Sequence, residues 1–385
     1  MNSIRFAYNK RIYFMEASEI SSTCHYKCTG CGADLTYAPG TTQLQCQYCG
    51  TQQQIASGSE NTVVNENDYL HYLSEKTIDS AEKQTIHTVN CKSCGATVTL
   101  DSHVTSDNCV FCGTPLVVTD SQTGEILKPK YLLPFKIAQK NAHDQFKKWL
   151  SKLWFAPNKL KHYGDNADTL HGVYIPYWTY DSNTETTYTG QCGTNHTESY
   201  TVTVNGKSER RTRTVIRWQS VSGHVSHFFD DVLILASNSL PRRVADKLDP
   251  WDLQNLTTYD EQFLSGFRTE SYQIKVEDGF GIAKSVMNTT IGSLIRRDIG
   301  GDHQRISSYS TNYSNITFKH ILLPIWISAY RFKEKTYRFL INGRTGEVQG
   351  ERPWSWIKIT LASLGAAALG TGGYLLITYL NNGSM

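Results

Sequence analysis

The chain has 385 residues, of which 39% are hydrophobic and 19% charged, and its formal net charge is +3. This composition is typical of a folded protein of two or three domains and excludes a chain that is disordered throughout. The small net charge gives no electrostatic argument for nucleic acid as a partner. Twenty-two tyrosines and eight tryptophans favour a β-rich body, because aromatic side chains pack well on pleated sheets.

The N-terminal segment, residues 1–26, has no apolar run of the kind that directs secretion. We interpret it as a disordered lead, and Met15 within it is an alternative start of the chain. Without a secretion signal, the cysteine-containing part is expected in the reducing cytoplasm, where thiols bind metals more readily than they form disulfides.

Eight of the ten cysteines form four C-x-x-C pairs, arranged as one frame of four cysteines that occurs twice. In both copies fourteen residues separate the inner cysteines, and a glycine follows the second cysteine of every pair. Two thiolates on a tight turn are typical of a zinc knuckle, and two knuckles complete a tetrahedral site. The predicted ligands are Cys28, Cys31, Cys46 and Cys49 in the first copy and Cys91, Cys94, Cys109 and Cys112 in the second.

Both sites are expected to be structural. Four thiolates fill the coordination shell of zinc and leave no position for water or substrate, so we expect two structural zinc ions per chain. An iron centre is the main alternative. Because so small a ribbon folds only with its metal, Cys28→Ser should unfold the first ribbon and leave the rest of the chain intact. Cys24 and Cys192 are interpreted as ordinary thiols.

The expected fold class is α+β, with two rubredoxin-like or zinc-ribbon modules, a mainly antiparallel β-rich body with helices, and one C-terminal transmembrane helix. Helical spacing is found from Ala142 to Leu153, and alternating residues over 172–235 predict strands around a hairpin turn at Asn205-Gly206. The expected divisions are a lead at 1–26, ribbons at 27–55 and 87–119 with a connector at 56–86, a body at 130–352 and the transmembrane helix at 357–380.

Two segments of the body share a hydrophobic-Pro-x-Trp pattern, "YIPYW" at 174–178 and "LLPIW" at 322–326. They represent either an internal repeat or two edge strands that begin at proline. The edge interpretation is favoured, because proline cannot donate a hydrogen bond to a central ladder.

Other motifs give no catalytic site. In "NGKSE" (205–209), Gly-Lys-Ser resembles the end of a phosphate loop, but Thr201 stands where that loop requires glycine. "GHVSHFFDD" (223–231) holds two histidines and two aspartates, for which a surface strand is favoured over a metal site. The arginines at 210, 211, 213 and 217 form a basic stripe, interpreted as a solvated edge. We therefore expect a protein that is not an enzyme.

A charge-free segment from Ile359 to Leu380 is long enough to cross a bilayer as a helix. Tryptophans precede it, and Tyr379 stands at its end, as in an interfacial aromatic belt. Cations are found only on its N-terminal side, which predicts a single-pass cell-membrane protein with its large N-terminal part in the cytoplasm. The alternative is a helix packed on a soluble body.

Small residues recur every four positions along this segment, at Ala362, Ala366 and Gly370. Such a stripe lets a second helix approach closely, so it predicts homo- or hetero-oligomers within the membrane.

The paired C-x-x-C-G ribbons, taken with five later segments, resemble the bacterial TFIIB-type zinc-ribbon family, whose members are often labelled as relatives of the primosomal helicase PriA. The resemblance covers most of the chain from Lys27 to Ser355, although the missing phosphate loop excludes a helicase. It implies that members with a C-terminal membrane segment are anchors for cytoplasmic membrane-stress proteins of the PspA type. The later segments are "LLPFKI", "GVYIPYW", "FDDVLILAS", "GFRTESY" and "FLINGRTGEVQGERPWS".

The expected function is a non-enzymatic, membrane-tethered zinc-ribbon adaptor that docks a cytoplasmic protein partner, of the PspA type by resemblance. The alternative is a nucleic-acid-binding accessory factor of replication or transcription, which would use the ribbons and the arginine stripe. For that role the ribbons offer few cations and stacking rings. They are Lys27, Tyr37 and Tyr48 in the first ribbon and Lys92 and Phe111 in the second.

Overall fold

The computed structural model describes residues 26–55, 64–75, 83–99, 106–117, 122–157, 160, 170–204, 207–332, 335–351 and 355–382. The predicted lead, with Met15 and Cys24, lies outside these ranges except for residue 26, and so does the Asn205-Gly206 turn. The described chain is α+β and rich in sheet, as its sequence predicts.

The first cysteine frame lies in a small antiparallel sheet of three strands: β1 (Leu35–Tyr37), β2 (Gln43–Cys46) and β3 (Gln52–Gln54). The predicted connector contains a short strand, β4 (Asn67–Asp68), and a helix, α1 (Tyr69–Glu75). The Asp68 carboxylate accepts a 2.7 Å hydrogen bond from the amide of His71, which satisfies a donor in the first turn of α1.

The second cysteine frame lies among five short strands. In one sheet, the first of them pairs with the second and the fifth, and the third and fourth form a separate pair. These strands are β5 (Lys83–Asn90), β6 (Thr97–Thr99), β7 (Ser106–Asn108), β8 (Pro115–Val117) and β9 (Gln122–Leu127).

The body is built on a nine-stranded, mainly antiparallel sheet. Its elements are β10 (Tyr131–Leu132), α2 (Gln139–Ser151), β11 (His171–Val204), β12 (Lys207–Leu235), α3 (Arg242–Ala245), β13 (Thr257–Thr258), β14 (Arg268–Thr269), α4 (Val276–Ile299), β15 (His303–Phe332), β16 (Lys335–Asn342) and β17 (Val348–Gly350). The main path of the sheet runs β12-β11-β15-β10-β13. Beside it, β14 pairs with β11, both β4 and β16 pair with β15, and β17 pairs with β16.

The interpretation of the two Pro-x-Trp segments as edge strands is wrong. They lie side by side in the central strands β11 and β15, with Pro176 opposite Leu322 and Tyr174 opposite Pro324. Pro176 follows the part of β11 that pairs with β14 and precedes the part that pairs with β12. Pro324 lies likewise between the parts of β15 that pair with β10 and β16. Each proline therefore occupies a gap between outer neighbours, where a missing N–H breaks no ladder bond.

Both faces of the central strands are buried, each against a different ribbon. Tyr174 and Leu322 face a hydrophobic cluster that includes Leu35, Tyr37 and Leu44 of the first ribbon together with α2. The residues that alternate with them along β11 and β15 face the opposite side of the sheet. There they join a second cluster with apolar residues of the second ribbon and the α3 region, among them Val98, Phe111, Leu116 and Val244. Because side chains alternate along a strand, the sheet is the middle layer between the two ribbons.

Beyond the body the three long strands continue as an antiparallel projection, which we call the arm: residues 182–204, 207–229 and 303–316. At about 3.3 Å per residue its longest strand spans roughly 70 Å. Helix α4 covers one face through apolar residues spaced three or four apart. These residues are Val276, Phe280, Ala283, Met287, Ile291, Ile295 and Ile299.

The chain ends in a fifth helix, α5 (Trp356–Asn382). It is joined to the body where the amide of Ser355 donates to the carbonyl of Phe155 and Lys358 Nζ donates to the carbonyl of Ala156. Among the helices in the described part of the chain, none combines the length and apolar character that crossing a bilayer requires. The predicted span extends past residue 375, the last in α5 whose side chain is described, and the transmembrane helix stays a prediction.

Candidate metal centres

Each cysteine frame folds into one cluster of four thiols. In each cluster the Sγ atoms all lie within 4.8 Å of one another. The Cys28–Cys49 and Cys31–Cys46 pairs are 3.4 and 3.5 Å apart, too far for disulfides. A zinc ion with bonds of about 2.3 Å holds its sulfurs roughly 3.8 Å apart. The second cluster has the same arrangement, with Cys91–Cys112 at 3.5 Å and Cys94–Cys109 at 3.6 Å.

The same backbone turn presents the thiols at all four C-x-x-C pairs. In every turn the glycine amide donates to the carbonyl of the first cysteine, for example from Gly32 to Cys28 at 2.9 Å and from Gly113 to Cys109 at 2.7 Å. These glycines have φ between 71° and 76°. The recurring glycine is therefore required by a left-handed backbone that brings both thiols to one side.

A threonine two residues beyond the last cysteine supports each cluster. Thr51 Oγ1 lies 3.1 Å from Cys49 Sγ, and Thr114 Oγ1 lies 3.3 Å from Cys112 Sγ at the equivalent position. The Thr51 hydrogen bond is the main reason why the pKa of Cys49 falls to about 6. The donor set of four thiolates fits zinc.

The first ribbon is bonded to the body as well as packed against it. The Tyr37 hydroxyl lies 2.7 Å from the carbonyl oxygen of Thr41 and 3.1 Å from that of Phe135. The amide of Gly40 donates to the same Phe135 carbonyl, and the Tyr37 amide donates to the carbonyl of Ser265. The Ser265 hydroxyl donates back to the carbonyl of Leu35 at 2.6 Å. Since Tyr37 is also buried, its ring face is not accessible for stacking on a base.

The second ribbon is held by body side chains that reach its backbone. Arg338 Nε donates to the carbonyl of Phe111 at 2.9 Å, and Gln273 Nε2 donates to the carbonyl of Gly95 at 3.2 Å. Phe111 is fully buried, so of the three candidate stacking rings in the ribbons Tyr48 alone is presented to solvent. The two inaccessible rings weaken the case for base stacking on the ribbons.

Beside the second ribbon lies a buried carboxyl group that its sequence context does not predict. Glu270 forms an isolated β-bridge with Val98, and the hydroxyl of Ser239 donates to one of its oxygens. Its other oxygen, Oε2, is buried without a hydrogen-bond partner in the described part of the protein. Burial raises the pKa of Glu270 to about 8, so the carboxyl is mainly protonated at neutral pH.

A second group of buried charges lies at the base of the arm. Lys319, only 4% exposed, has its Nζ 2.6 Å from both Glu66 Oε1 and Asp231 Oδ1. Burial disfavours its charge, but these carboxylates raise the pKa of Lys319 to about 12. The amide of Asp231 donates to Asp181 at 2.7 Å, at the level where the strands of the arm shift register. The group connects the residue before β4 to all three long strands, which indicates a structural role.

The arginine stripe lies near the tip of the arm, where only β11 and β12 continue. Arg211, Arg213 and Arg217 oppose even-numbered residues of β11 and so share one face, whereas Arg210 of the predicted stripe lies on the other face. The carboxylate oxygens of Glu198 lie 3.3 Å from Nη2 of Arg213 and 3.8 Å from Nη2 of Arg217. From residue 194 to the hairpin turn and back to 218, two carboxylates oppose five cations: Lys207, Arg210, Arg211, Arg213 and Arg217.

Within the described residues, two groups of three or more side chains could bind a single metal ion, and they are the two cysteine clusters. The histidines and aspartates of "GHVSHFFDD" do not form such a group there; they lie on β12, where His224 and His227 are exposed. Cys192 is half-buried and away from both clusters, and its thiol contacts the carbonyl of Gly300 at 3.6 Å. The ordinary-thiol interpretation agrees with this position.

The chain is similar to a known protein whose activity is not characterized. No family model matches the chain, and no solved structure matches it. Over 342 residues the chain is 27% identical to the uncharacterized protein YdjG of Bacillus subtilis (strain 168), an alignment that covers 87% of this chain and 91% of that relative. The likeness extends over most of the length of both proteins.

Proposed function

We propose that this protein is a non-enzymatic, membrane-tethered adaptor, in which two structural zinc ions fix the ribbons on opposite faces of the body. The observation that carries the proposal is helix α5, whose apolar side chains are exposed around its circumference. Examples are Leu361, Leu364, Leu369 and Leu375, with Leu369 80% exposed. An exposed apolar surface of this extent marks a site that is covered by a membrane or a partner.

Zinc is the proposed metal because four thiolates in a tetrahedral shell are its usual structural set. Both clusters lack an open coordination position, so the ions would stabilise structure and take no part in catalysis. The buried first cysteine of every pair and the turn geometry repeated within the chain support two sites of the same kind.

The tether would lie on one side of the body and the partner surface on the arm. Lys358 and Trp356 stand where α5 begins, as cations and aromatic rings do at a membrane interface. The small residues Ala362, Ala366 and Gly370 are exposed on α5 and are available to a second helix. The proposed location is the cell membrane, with the body and arm in the cytoplasm.

The proposed partner is a cytoplasmic protein with an acidic surface. The tip of the arm carries an excess of cations on a projection about 70 Å long, and Tyr200 and Ile216 are exposed among them. Complementary charge speeds encounter and fixes orientation. The resemblance to the TFIIB-type zinc-ribbon family supports a membrane-stress protein of the PspA type as this partner.

A second candidate, a nucleic-acid-binding accessory factor, is favoured by one feature of the same tip. The Arg305 guanidinium stacks 4.0 Å from the centroid of the Trp218 ring, and Arg213 lies 5.6 Å from that of Tyr200. Cations alternating with aromatic rings also bind single strands. The buried Tyr37 and Phe111 argue against the ribbons as the surface for this function.

Affinity purification of the tagged full chain from detergent-solubilised membranes tests the adaptor. We expect a protein partner that is lost when Arg211, Arg213 and Arg217 are all changed to Glu. The matched control changes three exposed lysines near or on α2 to Glu (Lys136, Lys140 and Lys148), which alters the net charge equally. Recovery of the chain from the cytosol, or equal partner loss in both variants, contradicts the proposal. Nuclease-sensitive capture with a steep salt dependence favours the second candidate.

A further inference from the structure

The outer edge of β12 is a long, unpaired strand edge. This strand lies at the end of the sheet path and, among the described strands, pairs with β11 alone. Its register with β11 runs without interruption from Phe229 to Lys207, so no bulge bends the edge away along the arm. An edge of this kind presents a row of backbone donors and acceptors to any strand that approaches it.

Much of this edge lacks the protection that edge strands normally carry. Twelve consecutive residues, from Trp218 to Phe229, contain no charged residue and no proline. Phe228 within them is 54% exposed. Charges, prolines and bulges are the devices that keep natural edges from pairing, and their absence indicates an edge that is meant to be covered.

Part of the sequence of this edge is symmetric about Gly223 when read in the opposite direction. Around Gly223, Val221 is matched by Val225 and Ser220 by Ser226. Farther out, Trp218 is matched by Phe228. The matched residues lie on the same face, because the valines oppose even-numbered residues of β11 and the other four oppose odd-numbered ones. An antiparallel partner centred on Gly223 would therefore meet like side chains at three pairs of positions, whereas Ser222 would face His224 and Gln219 would face His227.

The charges at the two ends of the uncharged stretch select the direction of pairing. Arg217 stands at its N-terminal end and the exposed Asp230 follows its C-terminal end. Antiparallel pairing about Gly223 places Arg217 of one copy opposite Phe229 of the other, so the two arginines lie at opposite ends of the shared ladder. Parallel pairing would instead put arginine beside arginine, which is unfavourable.

We infer that the arm is a dimerisation element, in which β12 of one copy pairs antiparallel with β12 of a second copy around a two-fold axis at Gly223. The two arms then form one continuous sheet, with both α4 helices on the same side. Because each edge is used once, the assembly closes as a dimer. The outer edge of β15 along the arm, which is also unpaired among the described strands, stays free in this arrangement.

A charge-swap experiment tests this contact in the full chain, solubilised in detergent and measured by sedimentation equilibrium. One variant carries Ser220→Lys and Ser226→Lys, and a second carries Ser220→Glu and Ser226→Glu. Both serines are exposed, so neither change disturbs the core. In the dimer residues 220 and 226 lie opposite each other, so like charges should raise the dissociation constant of each variant at least tenfold. Mixing the two variants should restore a dimer.

The matched control places the same charges on the other edge of the arm, as Ser310→Lys and Asn312→Lys, also at exposed positions. It should dimerise like the unaltered chain. A monomeric unaltered chain overturns the proposal, as does a mixture of the Ser220/Ser226 variants that stays monomeric. If the Ser310/Asn312 variant dissociates, the β12 edge of one copy pairs with the β15 edge of the next, and the proposal is wrong. If neither the Ser310/Asn312 nor the Ser220/Ser226 changes weaken the dimer, the copies associate through α5 and the proposal is also wrong.

Discussion

At the scale of single residues, the glycines that follow the cysteines are fixed by backbone conformation and not by lack of space. At Gly95, φ is +76°, and a methyl group added to its Cα would meet no heavy atom within 4 Å. Gly95→Ala should therefore destabilise the second ribbon by about 1 kcal/mol through backbone strain alone. The expected readouts are a lower unfolding temperature and several-fold faster loss of zinc to a chelator.

Gly281 provides the matched control, because a methyl group there also meets nothing within 4 Å but the residue lies inside helix α4. Gly281→Ala should stabilise the protein by up to about 1 kcal/mol, since alanine is the better helix former. If both alanine variants shift stability in the same direction, the backbone argument for the knuckle turns is wrong.

Glu270 should make the protein less stable as pH rises. Its folded pKa of about 8 lies above the usual value of 4.5, so in that interval the unfolded chain is ionised while the folded carboxyl keeps its proton. Stability is therefore unaffected below about pH 4.5 and falls towards pH 8, with a limiting slope of about 1.4 kcal/mol per pH unit.

Glu270→Gln should flatten this dependence in urea unfolding measured between pH 6 and pH 8. The control is Glu277→Gln at the exposed start of α4, which should leave the slope unchanged. An unchanged slope in Glu270→Gln would show that this carboxyl ionises normally.

At the scale of elements, local patterns predicted well what local physics determines. The C-x-x-C-G spacing indicates the metal turns, and the helical spacing over 142–153 indicates α2, which spans Gln139–Ser151. The cross-strand pair Val204–Lys207 agrees with a two-residue hairpin connection. The central position of the strands around Pro176 and Pro324 could not be predicted, because the gaps that accommodate the prolines are formed by other strands distant in sequence.

The packing of the ribbons was also beyond the sequence patterns. Alternation in "GVYIPYW" marks a buried strand but does not say which segment covers each face. The Lys319 group is a similar case, since its partners Glu66 and Asp231 come from separate elements. Pattern arguments detect neighbours along the chain, whereas these contacts depend on the tertiary topology.

Helix α5 gives a prediction of its own. Leu369 lies in the middle of the helix with its side chain exposed, and an arginine at the centre of a membrane span costs about 2.5–3.5 kcal/mol. Because α5 is rich in Gly and Ala, Leu369→Arg should release much of the protein from the membrane fraction. Leu369→Met is the control and should stay membrane-bound. The proposal that α5 is a membrane tether is wrong if the unaltered chain is recovered in the soluble fraction. It is also wrong if Leu369→Arg remains in the membrane fraction.

At the scale of the whole molecule, the two cysteine clusters belong to one layered structure and not to two independent modules. The first ribbon shares a hydrophobic cluster with Phe135, Leu322 and α2, and the second shares the opposite cluster with Leu323 and α3. Since the central strands are covered by both ribbons, unfolding of either ribbon on loss of the proposed metal would expose one face of the same sheet. This arrangement revises the expectation that an unfolded ribbon leaves the body intact.

Metal removal should therefore act beyond the ribbon that loses its ion. We expect about two zinc ions per chain by elemental analysis, and about one in Cys28→Ser. That variant should also show faster amide hydrogen exchange at 132–137 and 321–327, because the first ribbon's apolar residues no longer cover these segments. Cys192→Ser, which changes a thiol outside both clusters, should keep both ions and normal exchange.

The pattern of exchange separates an integrated core from independent modules. If Cys28→Ser loses one ion and exchange accelerates only within 27–55, the ribbon folds by itself and the shared cluster adds little to the body. If exchange also accelerates across β10 and β15, the metal site of the first ribbon stabilises the sheet through the shared hydrophobic cluster and the hydrogen bonds to Phe135. Tyr37→Phe tests the hydroxyl: it keeps the ring and the ion but removes the contacts to both Thr41 and Phe135, and it should raise exchange near these residues by a few-fold, as the loss of one buried hydrogen bond worth about 1 kcal/mol implies.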